Sequence, residues 1–158
     1  MTIWRLSRRR HLRRAFSGEG ARHYGGRWNS PGHPVVYASA TLSLASLETL
    51  VHLGGLELPD DLYALAAEMP EDLRITGVET SQLPRGWRKY PAPEGLREIG
   101  DGWLRAGITA VLSVPSAAIP SERNYLINPL HPEMERIAVG RAERFEFDPR
   151  VRPGGAVT

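Results

Sequence analysis

Gly25-Gly-Arg-Trp-Asn-Ser-Pro-Gly32, Pro34-Val-Val-Tyr-Ala-Ser39 and Ser43-Leu-Ala-Ser-Leu-Glu-Thr-Leu-Val-His52 form one nearly continuous stretch. Its pattern reads as a glycine-flanked turn, a short strand and an amphipathic helix. Gly25 and Gly26 admit backbone angles closed to other residues, which lets the chain bring Arg27 close to a ligand. Arg27 carries a planar fork of donors suited to the paired oxygens of a phosphate. The β-branched run before Tyr37 suits a buried strand, and Tyr37 adds an aromatic surface near its end. Thr41 is placed to N-cap the helix, and Leu44, Leu47 and Val51 recur at the spacing of one helical face. Glu48 falls on that same stripe, one turn after Leu44. A carboxylate there loses hydration unless it is partnered, so it is either a site residue or a helix-edge glutamate paired with an arginine or reaching solvent.

The 158 residues suit a single domain, long enough to bury a core without disulfides or structural metal. With no cysteine, a disulfide framework, a thiol nucleophile and a zinc-thiolate site are all excluded. That composition fits a reducing cytoplasm, and no apolar run approaches the ~20 residues of a membrane span. The formal net charge is +2 and the isoelectric point about 9.3, with Lys89 the only lysine. Overall charge therefore does not demand a nucleic-acid partner.

Outward from the central stretch, Thr2-Ile-Trp-Arg-Leu6 reads as a first strand. The arginines at 8, 9, 10, 13 and 14 that follow form either a phosphate- or nucleic-acid-binding arm or a solvated, charged helix or turn beside the first strand; the latter is favoured, since a basic run is a compositional signal only. Ser17–Gly26 reads as a loop. Gly18 and Gly20 begin a dinucleotide-binding pattern, but His23 occupies the third glycine position, and no phosphate-binding loop is present. Beyond the helix, Gly54-Gly55 reads as its stop, Leu62–Met69 as a strand and Arg74–Pro93 as a surface excursion. Glu94–Ala106 reads as a helix closed by Gly107, and Ile108–Pro115 as a buried strand with Ser116 just beyond its end. Asn124–Pro129, Arg136–Gly140 and Glu143–Pro149 give three further extended segments, and Gly154–Thr158 a C-terminal tail.

The five histidines lack metal-binding spacing, and no G-x-S-x-G elbow exists. His52, one turn after Glu48, is placed either for a site pair or for a helix-surface hydrogen bond. The remaining set of Arg, Tyr, Glu and Ser suits cleavage of an N-glycosidic bond whose leaving group is already cationic, as in NAD. A carboxylate would then stabilise the oxocarbenium-like ribose, and an arginine would hold the pyrophosphate.

The central stretch, with Val114-Pro-Ser-Ala-Ala-Ile-Pro-Ser-Glu-Arg-Asn-Tyr-Leu-Ile-Asn-Pro129 and Trp4-Arg5, resembles the RES-domain family, named for an arginine, a glutamate and a serine. The resemblance spans residues 1–153, leaving 154–158 as a flexible tail. It implies a compact α/β (α+β) fold, a single domain like that of ADP-ribosyltransferase toxins, with a mixed β-sheet core and flanking helices. It also implies a toxin of a type II toxin–antitoxin module that degrades NAD by phosphorolysis or hydrolysis, or else transfers ADP-ribose to a protein. NAD would be substrate, inorganic phosphate a possible co-substrate, and no cofactor or metal is implied. The implied partner is an Xre-like antitoxin in a hetero-oligomeric complex, with DNA contacted only through it. By motif position, the family arginine falls on Arg27, its tyrosine on Tyr37, its glutamate on Glu48 and its serine on Ser116, in preference to Ser121. Arg5 matches an early arginine that reaches phosphate. The implied roles are Arg27 on phosphate, Tyr37 against the nicotinamide end, Glu48 on the ribosyl cation and Ser116 on the nicotinamide side or the ribose. A different reading, a non-catalytic nucleic-acid-binding module using the arginine-rich start, leaves these motifs unexplained.

Overall fold

The computed structural model describes residues 1–151, so the expected tail at 154–158 lies outside the described residues. A mixed α/β domain results. The strands are β1 (Thr2–Arg8), β2 (Val36–Ser39), β3 (Leu62–Glu68), β4 (Ile75–Gly77), β5 (Val111–Pro115), β6 (Arg123–Ile127), β7 (Ala138–Val139) and β8 (Glu143–Phe145). They form one sheet in the order β4-β5-β6-β2-β1-β3-β7, with β8 also on β3. Every pairing is antiparallel except β4 with β5. The helices are α1 (Glu19–Tyr24), α2 (Leu42–Leu53) and α3 (Glu94–Ala106).

Side chains alternate across the pleat, so each central strand feeds two cores. Val36 and Ala38 of β2, Val111 of β5, and Tyr125 and Ile127 of β6 join Ile3, Ala67 and Met69 in one cluster. Leu112 and Val114 of β5 and Leu126 of β6 join Trp28, Trp87, Leu96 and Trp103 in the other. The alanine-rich β3 has the composition of a helix, yet it is a strand because β1 pairs with it over seven positions on one side and β7 and β8 cover the other. Tertiary pairing outweighs local propensity there.

Two expectations are corrected. Ser17–Gly26 is not a plain loop, since it contains α1, bounded by Gly18 and Gly25 at φ near +70°. Glu19 braces that helix against Arg22 and His23, three and four residues on. The segment 74–93 is not wholly a surface excursion either. It contributes β4, and it buries Val78 and Trp87 against the α3 side of the sheet. Its many turn residues conceal those two apolar anchors.

Thr41 caps α2, its Oγ1 accepting from the Leu44 N–H at 3.0 Å, and Gly54 ends it in the left-handed region. The expected single apolar face divides in two. Leu44 and Ala45 are buried, Val51 is exposed, and Leu42, Leu47 and Leu50 line a groove of about 430 Å³ with Phe145, Phe147 and Val151. The helix is thus flanked on both sides, with the Leu44–Glu48 side packed toward β1 and β2. The arginine run after β1 forms an exposed 3-10 turn at Arg9–Arg14. None of the described helices is long and apolar enough to cross a membrane.

Candidate active site

The glycine turn before β2 is built around Asn29, which is fully buried. Its Nδ2 donates to the carbonyls of Ala21 and Ser30 at 3.0 and 3.1 Å, and its Oδ1 accepts from the Tyr37 hydroxyl at 2.7 Å. The Tyr37 hydroxyl in turn accepts from the Trp28 N–H at 3.2 Å. Such closeness requires glycine at 26, where a Cβ would lie 2.6 Å from the Tyr37 oxygen. From α3, Asp101 accepts from both the N–H and the hydroxyl of Ser30, at 2.9 and 2.6 Å. Every buried polar group named here has a partner, so the turn holds one shape. Burial raises the Tyr37 pKa well above the usual phenol value, which keeps its hydroxyl proton on the bond to Asn29.

Arg27 projects from this turn. Its Nη1 donates to the carbonyls of Trp87 and Lys89 at 2.8 and 3.2 Å, so the buried Trp87 anchors a strap that aims the guanidinium. Nε and Nη2 have no protein hydrogen bond among the described residues. Burial lowers the Arg27 pKa from its usual value, and the negative charge of Glu48 opposes that shift. The same strap reaches the loop after β5, where Arg88 Nε donates to the Ala117 carbonyl at 2.9 Å.

Glu48 extends from α2 to the ends of β5 and β6. Its Oε1 accepts from Ser116 Oγ and from Asn124 Nδ2, each at 2.6 Å. Ser116 is fully buried, and its oxygen also accepts from the N–H groups of Ala118 and Ile119 at 3.1 and 3.0 Å. Its single proton and both lone pairs are therefore committed, and its expected bond to the nicotinamide side has no free proton. Glu48 Oε2 makes no hydrogen bond among the described residues. Neither arginine pairing nor simple solvation accounts for Glu48, because two neutral donors, Asn124 in β6 and Ser116 just after β5, hold it. His52, exposed on α2, forms no hydrogen bond to Glu48 among the described residues.

Arg5 of β1 donates from Nη1 to the Tyr37 carbonyl at 2.7 Å. Its Nε is buried without a protein partner, and burial lowers its pKa. A buried guanidinium nitrogen with no acceptor costs free energy that an anion would recover. Thus Glu48 and Ser116 meet, Arg27 lies within electrostatic reach of Glu48, Tyr37 shapes the turn that carries Arg27, and Arg5 attaches through Tyr37. Residue reading overlooked Asn29, Asn124 and the Trp87–Lys89 strap. Asn124 did carry a signal, since asparagine is depleted in strands and this one opens the apolar run Tyr-Leu-Ile of β6.

The arrangement offers an oriented carboxylate with one oxygen unoccupied, near a guanidinium with donors to spare. The RES domain profile matches residues 2–148. A protein named Toxin Res from Yersinia enterocolitica is 37% identical over 153 residues, covering 96% of this chain and 100% of its own. A Prs ADP-ribosylating toxin from Sphingobium is 36% identical over 154 residues, covering 95% and 96%. Among solved structures, the crystal structure of the M. tuberculosis MbcT–MbcA toxin–antitoxin complex contains a similar fold. Its TM-score is 0.76 at 18% identity, covering 91% of this chain and 83% of that one. With a family profile across nearly its whole length and relatives of this identity, the chain belongs to the RES domain family.

Proposed function

We propose that this protein is the toxin of a toxin–antitoxin pair and that it cleaves the nicotinamide–ribose bond of NAD. The observation that carries the reading is Glu48, held through Oε1 by two donors while Oε2 stays open, within electrostatic reach of the cationic Arg27. As the glycosidic bond breaks, its electron pair neutralises the pyridinium, so departure of nicotinamide needs no metal. The positive charge passes to the anomeric carbon and its ring oxygen, where the Glu48 carboxylate stabilises it. A carboxylate already held in place reorganises little during that step. Arg27, with Nε and Nη2 available, binds the pyrophosphate, and Arg5, whose buried Nε lacks a protein acceptor, contributes positive charge. The half-buried Tyr37 ring borders the nicotinamide end, and Ser116 acts through Glu48. Phosphate or water then adds to the anomeric carbon. Addition of phosphate gives ADP-ribose phosphorylated at that carbon, and addition of water gives ADP-ribose and a released proton.

A second reading keeps the same bond cleavage and replaces the acceptor with a protein side chain. It is favoured by the similarity to the Sphingobium ADP-ribosylating toxin. The fold shared with a toxin from a toxin–antitoxin complex supports an antitoxin partner here, Xre-like by the family resemblance. Purified protein incubated with NAD, with and without inorganic phosphate, separates these readings when products are resolved by chromatography. Phosphate-dependent loss identifies phosphorolysis, and phosphate-independent ADP-ribose identifies hydrolysis. Unchanged NAD in both conditions, with a labelled protein band in lysate given labelled NAD, identifies protein modification. Unchanged NAD with no labelled band overturns the enzymatic reading.

A further inference from the structure

Glu48 is held by a second residue that neither the family name nor the sequence motifs single out. Asn124, at the start of β6, directs its amide nitrogen at Glu48 Oε1 at 2.6 Å, the same distance as Ser116 Oγ. An asparagine amide can flip, which would present its oxygen to the carboxylate and repel it. The ionised carboxylate only accepts, so it selects the nitrogen, and Ser39 supports that orientation at the other end of the amide. The Ser39 hydroxyl, buried at the end of β2, donates to Asn124 Oδ1 at 2.7 Å. Ser39 and Asn124 are directly paired across the β2–β6 ladder, so backbone register holds the two side chains together. We propose that Asn124, oriented by Ser39, is a positioning residue that fixes Glu48 through Oε1 and so reserves Oε2 for the reacting ribose.

Ser116 alone leaves the carboxylate free to swing about a single hydrogen bond. Two donors arriving on one oxygen, one from β6 and one from the residue just after β5, define the plane of the group. Arg27, on the glycine turn, is a positive charge within electrostatic reach of Glu48. Asn124 and Ser116 add no charge of their own. They therefore orient the carboxylate without neutralising it, whereas an arginine in either place would quench the field that the ribosyl cation needs.

The test rests on the NAD-cleaving reading, and one arm is independent of it. Asn124→Ala should lower kcat about 10- to 100-fold with KM for NAD changed less than about 3-fold, because the interaction matters as charge develops. Ser39→Ala, which keeps the amide but removes the bond that anchors its oxygen, should lower kcat about 3- to 10-fold. Asn124→Asp gives a distinctive signature. Two adjacent carboxylates repel when both are ionised, but one shared proton restores an O–H donor to Glu48. That variant should be nearly inactive at about pH 8 and regain activity as the pH falls toward about 5, an acid-activated profile absent from the wild type. An Asn124→Asp profile parallel to wild type, or an Asn124→Ala variant with full kcat, would overturn the proposal. In the independent arm, the Asn124 side-chain amide is followed by NMR without NAD. A shifted, slowly exchanging amide proton that is lost in both Ser39→Ala and Glu48→Ala supports the network. An amide indistinguishable from those of exposed asparagines refutes it even if NAD is never turned over. Wild-type protein that leaves NAD intact while keeping this amide signature would instead refute the substrate reading alone.

Discussion

Ser116 Oγ donates to Glu48 Oε1 at 2.6 Å across 68 positions of chain, joining the end of a buried strand to the middle of a helix. Neither residue reaches the other by local structure. The bond exists because α2 packs back over the sheet edge at which β5 ends. Replacing Ser116 with alanine should remove a donor from Glu48 and leave the N–H groups of Ala118 and Ile119 without their acceptor. A stability loss of about 1–3 kcal/mol in denaturant unfolding is expected, together with a fall in turnover. Unchanged stability would mean that solvent satisfies that turn.

Glu48→Gln keeps an oxygen able to accept from Ser116 and Asn124, so the fold should survive with an unchanged melting curve. The negative charge is lost. NAD turnover should fall about 100-fold or more while NAD binding changes little. Full turnover with intact binding would refute an electrostatic role for Glu48.

Arg27→Ala should act mainly on binding. The guanidinium has donors without protein partners, whereas its two protein bonds are to carbonyls of the strap. KM for NAD should rise about 10-fold or more, with a smaller effect on kcat at saturation. A pure kcat effect would place Arg27 at the reacting carbon instead of on phosphate.

Gly100 on α3 packs against the backbone of Trp28, and a Cβ there would overlap the Trp28 carbonyl oxygen. Alanine improves intrinsic helix propensity by about 1 kcal/mol. The clash dominates, because overpacking against rigid backbone costs up to about 3 kcal/mol. Gly100→Ala should therefore destabilise by about 2 kcal/mol net, read in denaturant unfolding, and lower activity by displacing the turn that carries Arg27. A stabilised variant would show that α3 can slide away from that turn.

Tyr37 supplies an alkaline signature. Its folded pKa is raised above the unfolded value of about 10, chiefly by burial, so the stability it contributes is fully present below that value and is lost as pH rises through the range above it. Unfolding free energy should decline above about pH 10 by at most about 1.4 kcal/mol per pH unit for this group. Tyr37→Phe should flatten the decline at the expense of stability at neutral pH, since the Asn29 and Trp28 bonds go with the hydroxyl. Identical alkaline slopes for the two proteins would exclude Tyr37 as the source.

Much of the fold is written locally. Thr41 and Gly54 delimit α2 through a side-chain cap and a left-handed glycine, and Gly107 closes α3 in the same way. The apolar Val111–Pro115 announces a central strand, and all five of its residues are buried. The elements missed from sequence are those whose reason lies elsewhere. The six residues of α1 are too few for a periodic signal. β4 has three residues and gains its ladder only from β5. Trp87, set among turn residues, is buried because the sheet face beneath α3 has room for it.

The candidate site divides along the same line. Residue types and order identify Arg27, Tyr37, Glu48 and Ser116, since chemistry and motif are properties of the chain itself. The identity of the donors to Glu48, the orientation of Asn124 by Ser39, and the strap that aims Arg27 depend on strand order and register. A β2–β6 pairing shifted by one residue would turn Ser39 or Asn124 to the opposite face. Sequence alone therefore determined which reactive groups this protein has. Tertiary structure decided which oxygen of Glu48 is held and which is open, because hydrogen bonds between residues remote in sequence exist only once packing has brought their strands and helix together.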